Sequence, residues 1–374
     1  MLPLEKLTIH AFRGLRDLQI PSLGRFNVLV GRNNSGKTTV LEAIATYARP
    51  VSPSEWVETA RRREMTSSRV SMLEALRWMF PQPGEAASGA YEGRTAISGT
   101  GRFPVRESTA HLMEVEGLFD SDADTDDTSI PGLDEGGPQR GFELTLRAMT
   151  VDKPTPLFGE AQAIEQKSQV TLWERSRGPI ARNHSDPSLP VATITPFSHR
   201  VQRLEVEALS EAIFTDIKPQ VLELVRIFDA SIRDLEVLKR PRSEPTVYIR
   251  HDRLGNAPLS SFGDGMRRVL LLGVMLATVR GGILLVDEIE SAIHVEALDK
   301  SFRWLRRACT DLDVQLFATT HSLEAVDALL TANAADEDLV LYRMTQKQAT
   351  TRVKRFSGED LRVLREELGQ EVRA

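Results

Sequence analysis

Phe26-Asn-Val-Leu-Val-Gly-Arg-Asn-Asn-Ser-Gly-Lys-Thr-Thr39 is the stretch whose reading decides the fold. Its apolar start, Phe26–Val30, reads as a buried strand, and Thr38–Tyr47 reads as a helix with Val40, Leu41, Ile44 and Tyr47 on one face. Between them, Gly31–Thr38 satisfies G-x-x-x-x-G-K-[ST], in the strand-to-helix setting that motif requires. The glycines let backbone N–H groups close around phosphate oxygens at the positive end of the helix. Lys37 supplies a point charge to the β- and γ-phosphates, and the Thr38 hydroxyl goes to Mg²⁺. Gly31, Asn33, Asn34, Ser35, Gly36, Lys37, Thr38 and Thr39 are therefore expected to hold ATP with Mg²⁺.

A second signal lies far downstream. Ile283-Leu-Leu-Val-Asp-Glu288 is an apolar strand ending in two carboxylates. At the end of a parallel strand such groups face the ligand crevice beside the phosphate loop. Asp287 is expected to hold Mg²⁺ through its water shell, and Glu288 to orient or deprotonate the attacking water. Strands are expected at Thr246–Arg250, Gly282–Val286, Val314–Thr319 and Leu339–Met344, and helices at Arg267–Val279, Val295–Arg307 and Ser322–Leu330. That alternation predicts a mainly parallel sheet.

Three further motifs complete the pattern. Leu259-Ser-Ser-Phe-Gly-Asp-Gly-Met-Arg-Arg268 precedes the acidic strand, Thr319-Thr-His-Ser322 ends the next strand, and Phe12-Arg-Gly14 lies near the start. Together with the phosphate loop and Asp287-Glu-Ile-Glu-Ser-Ala-Ile-His294, this order resembles the ABC-type ATPases of the RecF, SMC and OLD-like families. The resemblance covers residues 1–48 and 228–345. It implies heads that dimerise around two ATP molecules, the signature of one copy completing the site of the other. Ser261, Gly263 and Gly265 would be that signature acting in trans, at a helix start whose free N–H groups suit an anion. His321 would be the switch histidine at the γ-phosphate, and Arg13 a nucleotide contact. Catalysis would fall to Glu288, His321 and Lys37. The Ser-Phe-Gly-Asp-Gly form departs from Leu-Ser-Gly-Gly-Gln, which leaves open the residue that meets the γ-phosphate.

The middle of the chain is less regular. Strands are expected at His111–Phe119, Gly141–Met149 and Gln169–Ser176, forming a small antiparallel sheet, and a helical stretch at Val201–Phe228. Ser52–Trp56, Pro81–Gly93, Ser121–Gly137 and Arg182–Pro190 read as loops. The expected fold is an α/β P-loop head with a mainly parallel central sheet, an N-terminal antiparallel β-element and an inserted α/β arm. Its parts would be residues 1–50, an arm at 51–227, and 228–374.

Other features exclude more than they assign. The acidic run Asp120–Asp127 lacks the sixth-position Gly of a calcium loop and meets Pro131 where the last Glu belongs, so it reads as a solvated loop. No heptad pattern persists, which argues against long coiled-coil arms. The segment after Ser322 is expected to be too short for the TOPRIM nuclease domain that OLD proteins append. No aromatic accompanies the arginines at 61–63, 240, 242, 303, 306 and 307 in stacking order, so they read as solvated faces, with nucleic acid still open as a partner. A net charge of −6 makes no polycation. A single cysteine, Cys309, and the lack of a long apolar run point to a cytoplasmic chain without a membrane partner. The expected role is an ATP-hydrolysing homodimer or higher homo-oligomer that regulates a separate nuclease or toxin in anti-phage defence. The alternative is a RecF-like ATPase that repairs or loads on DNA.

Overall fold

Strands that are largely apolar must be covered on both faces, and these ones line up side by side. The computed structural model describes residues 1–64, 70–82, 89–117, 139–151, 163–174, 187–332, 338–347, 350–367 and 369–372. The first half holds β1 (Lys6–Phe12), β2 (Leu15–Ile20), β3 (Phe26–Gly31), α1 (Lys37–Ala48), α2 (Pro53–Glu64) and α3 (Met72–Arg77). Four long strands or edges follow: β4 (Glu92–Thr100), β5 (Val105–Gly117), β6 (Gln139–Val151) and β7 (Ala163–Trp173). Next come β8 (Val191–Ile194), α4 (Gln202–Phe214), α5 (Lys218–Phe228), β9 (Ile232–Leu238), β10 (Thr246–His251) and β11 (Gly255–Pro258). The chain continues through α6 (Asp264–Thr278), β12 (Ile283–Val286), α7 (Val295–Asp311), β13 (Gln315–Thr319) and α8 (Leu323–Ala332). It then runs through β14 (Leu339–Lys347), β15 (Thr350–Ser357) and α9 (Gly358–Arg362).

Two compact units divide these elements. The first comprises Met1–Lys6, Ile20–Leu41 and Leu189–Ala374. Its six-stranded sheet has the order β15-β14-β3-β13-β12-β8. β14, β3, β13, β12 and β8 are parallel, and only β15 runs against its neighbour. β3, β12 and β13 are buried along their whole length, as their largely apolar runs require. α6 supplies Val269, Leu270, Leu271 and Val274 to the same core, and α7 supplies Phe302 and Leu305. The polar exceptions are satisfied: buried Gln315 donates from Nε2 to the carbonyls of Leu4 and Gly24, and accepts the Leu4 N–H at 2.9 Å. β9, β10 and β11 form a separate three-stranded antiparallel sheet in this unit.

The second unit comprises Leu7–Gln19 and Glu42–Ser188. Its sheet has the order β2-β1-β4-β5-β6-β7, with β4 through β7 antiparallel. Behind it Trp56 stacks on Phe80 at 5.4 Å and meets Phe12 at 5.9 Å between ring centroids.

The mainly parallel sheet and the antiparallel strands in the middle of the chain match the α/β expectation. The partition runs elsewhere than at residues 50 and 227. β8 adds to the parallel sheet through β12, which draws it and the following helices α4 and α5 into the first unit. Val201–Phe228 is two helices, since Asp216 takes a φ of 57° and Pro219 opens the second. Ser52–Trp56 is largely helical rather than a loop, because Pro53 occupies the first turn, where its missing N–H costs nothing. The Asp120–Asp127 run and the strand ends at 118–119 and 175–176 lie outside the described residues.

α4 packs on α6 through Ala208, Leu209 and Ala212, with one buried carboxyl beside them. Burial pushes Glu205 up to about 7, against the opposing pull of Arg267, whose Nη2 lies 3.3 Å away. The folded chain thus holds this proton more tightly than the unfolded one, whose carboxyl titrates near 4.5. The resulting stability is complete below the unfolded value and is lost as pH rises through about 7. Urea unfolding should therefore show Glu205→Gln gaining on the native chain between pH 5 and pH 8. A difference that stays flat over that range would contradict this account.

Candidate active site

The C-terminal ends of β3, β12 and β13 bring the chemistry together. Gly31 has a φ of 146°, and a Cβ there would stand 2.3 Å from the Met344 carbonyl oxygen, so only glycine fits. Asn34 takes a φ of 62° and Gly36 of 95°, which turns the loop back onto the start of α1. Ser35 is buried, with no hydrogen-bond partner for its Oγ. Arg32, Asn33 and Asn34 are exposed. The loop therefore offers a backbone cradle with one buried hydroxyl left over for a ligand.

Lys37 is buried and donates from Nζ to the carbonyls of Gly31 at 2.8 Å and Arg32 at 3.0 Å. Desolvation lowers its pKa, while Asp287 and Glu288 pull it back up. Thr38 Oγ1 donates to the Asp287 carboxylate, 3.2 Å from Oδ1 and 3.1 Å from Oδ2. Two motifs 249 residues apart thus meet at one hydrogen-bonded pair. A hydroxyl beside a carboxylate is the donor set that a hydrated Mg²⁺ takes, with phosphate and water supplying the rest. The lysine, hydroxyl and carboxylate present here fit Mg²⁺ and a triphosphate.

Thr319 and Arg268 support the acidic pair. Thr319 Oγ1 donates to Asp287 Oδ1 at 2.5 Å and accepts the Glu288 N–H at 2.8 Å, so one hydroxyl orients both residues. Arg268, 1% exposed on α6, donates to the carbonyls of Thr195, Asp287 and Glu288, the last two at 2.8 and 3.2 Å. Burial draws its guanidinium down to about 10, against Asp287, Glu288 and Glu290. Glu288 itself adopts a φ of 50°, a left-handed backbone that is costly for a residue with a Cβ. Arg268 was legible only as a charge on the apolar stripe of a helix, the usual mark of a buried, paired cation.

The remaining candidates stand around this centre or apart from it. His321 is exposed, and its main-chain N–H donates to Glu290 Oε1 at 2.9 Å. Ser261 and Gly263 are exposed at the start of α6, and Gly263 caps that helix. Gly265 is fixed by packing: a Cβ would lie 2.6 Å from the Ala292 carbonyl oxygen, in the loop that follows the acidic pair. Asp264 beside it pairs with Arg200 at 2.9 Å and lies 3.5 Å from buried His199. Arg13 belongs to the second unit, where its guanidinium grips Glu42 at 2.7 and 3.3 Å and donates to the Trp78 carbonyl. Arg63 holds the other side of Glu42 at 2.6 and 2.8 Å.

Parts of the chain are similar to known families and proteins. Residues 162–327 match the family model described as "AAA domain, putative AbiEii toxin, Type IV TA system". Residues 3–50 match an AAA ATPase domain. The Methanocaldococcus jannaschii protein MJECL11 is 29% identical over 114 residues, 30% of this chain and 98% of that protein. The DNA replication and repair protein RecF of Actinobacillus pleuropneumoniae is 49% identical over 43 residues, so the chain spans 12% of its length. The SMC head domain of Thermotoga maritima aligns over 95% of this chain and 99% of that one, at 12% identity and a TM-score of 0.43. No described helix is long and apolar enough to cross a membrane.

Replacing Arg268 with Met keeps the length and removes the donors from three carbonyls. A loss of roughly 2–5 kcal/mol in unfolding free energy is expected, read by denaturant titration. An unchanged midpoint would show that the clamp does not hold the acidic pair.

Proposed function

We propose that the chain is an ABC-type ATPase of the RecF/SMC group that hydrolyses ATP at Lys37, Thr38, Asp287 and Glu288. The observation that carries this reading is the Thr38–Asp287 contact, which joins the phosphate loop to the acidic strand. Gly31, Asn33, Asn34, Ser35, Gly36 and Thr39 complete the phosphate cradle, with Lys37 on the β- and γ-phosphates. Thr38 and Asp287 hold Mg²⁺, which when bound neutralises charge on the transferred phosphoryl group. Glu288 orients or deprotonates the attacking water, and Thr319 keeps its backbone in place. His321 contacts the γ-phosphate, and Ser261, Gly263 and Gly265 reach the nucleotide of a second copy. Exposure of Ser261 and Gly263 at a helix start supports that assignment. Arg13 contributes to nucleotide binding only by exchanging part of its Glu42 pairing.

On this reading ATP is the signal that closes two heads, and hydrolysis releases them. A separate effector, a nuclease or toxin, reads that signal in anti-phage defence. The toxin–antitoxin wording of the matched family supports the defence setting, without naming a separate effector. The short RecF likeness supports a second reading, in which DNA is the partner. Duplex DNA that stimulates turnover, with salt-sensitive binding, would select the second over the first.

Glu288→Gln is expected to keep ATP binding and lose at least about a hundredfold in phosphate release. Lys37→Ala is expected to lose binding itself. Isothermal titration and a phosphate-release assay separate the two. Unchanged turnover in Glu288→Gln would remove the hydrolytic assignment.

A further inference from the structure

Among the described residues the second unit ends its sheet on β7, which pairs with β6 on one side and with no other described strand. An edge of this length presents a row of backbone donors and acceptors, and natural edges are usually short or bulged. β7 is 11 residues long and mostly exposed, and its register with β6 runs unbroken from Ala163 to Trp173. Its charges are arranged unevenly. Lys167 stands directly opposite Arg147 of β6, a like-charge pair that costs stability. Arg147 turns instead to Glu165, 3.4 Å away, in an exposed contact worth little.

We propose that β7 pairs antiparallel with β7 of a second copy, about a two-fold axis at Gln166. Directly opposite residues of such a pair lie on one face of the sheet, so a symmetric register is defined by the residue on its axis. Centring on Glu165 or Lys167 sets like charges against each other. Centring on Gln166 sets Glu165 opposite the second copy's Lys167, and Lys167 opposite its Glu165. The two ion pairs relieve the Arg147–Lys167 conflict in both copies, and Ala163–Gln169 continues the sheet across the axis. The occupant is thus a second copy of this chain, chosen by charge complementarity. This contact is separate from the nucleotide-bridged head pairing and needs no ATP.

Disulfide trapping reads the register directly. Cys309 is fully buried with its thiol pushed up to about 12, so a cysteine placed on β7 is the reactive one. The full chain carrying Lys37→Ala, without nucleotide, excludes pairing through the heads. In that chain Gln166→Cys faces itself across the axis and should cross-link to a covalent dimer under mild oxidation. Ser168→Cys would face Ile164 and should cross-link at least about tenfold more slowly. Adding Lys167→Glu to Gln166→Cys sets carboxylate against carboxylate and should reduce the yield about tenfold or more. Adding Glu165→Lys as well restores opposite charges and should restore the yield. Circular dichroism checks that each variant is folded. Failure of Gln166→Cys to cross-link, equal trapping at residue 168, or no recovery in the charge swap would overturn the proposal. None of these outcomes bears on the ATPase assignment.

Discussion

Everything in the nucleotide site hangs on how the Asp287 carboxylate is held. Its two oxygens take hydroxyls from Thr38 and Thr319, and its main-chain carbonyl takes Arg268. These three partners come from the phosphate-loop helix, the neighbouring strand and the signature helix. The order β3-β13-β12-β8 makes that convergence possible, because parallel strands deliver their C-terminal ends to one edge. A carboxylate in this position could not be moved without disturbing all three elements.

Arg268 extends the same constraint toward the exposed signature. Its helix begins at Asp264, and its guanidinium reaches the peptide that sets the left-handed backbone of Glu288. Gly265 brings the first turn of that helix within packing distance of Ala292, in the loop after the acidic pair. The start of α6 is thus tied to the acidic residues of its own chain through buried Arg268. Such a linkage suits a protein in which a second copy reports on nucleotide through the signature.

Much of this was legible in the sequence where local chemistry decides structure. The loop Gly31–Thr38 and the strand ending in Asp287-Glu288 announce themselves, since glycine, lysine and carboxylate are placed there by phosphate and metal requirements. The buried strands β3, β12 and β13 show as largely apolar runs. What escaped was tertiary. Val191–Ile194 is too short to signal a strand and becomes one by lying parallel to β12. The helix from Pro53 hid behind two serines and a proline, which mark turns and helix starts alike. Thr319 looked like part of a switch motif, and only the meeting of β12 and β13 shows its hydroxyl bridging Asp287 and the Glu288 N–H.

The central claim is a composite site shared by two copies, and mixing two silent variants tests it most directly. Lys37→Ala removes the phosphate loop's charge, and Ser261→Arg blocks the exposed signature. Each alone should be inactive in phosphate release. Mixed with ATP and Mg²⁺, they should regain turnover that peaks at equal amounts, because one copy's intact loop meets the other's intact signature. A mixture that stays silent at every ratio, while both proteins remain folded, would contradict the account.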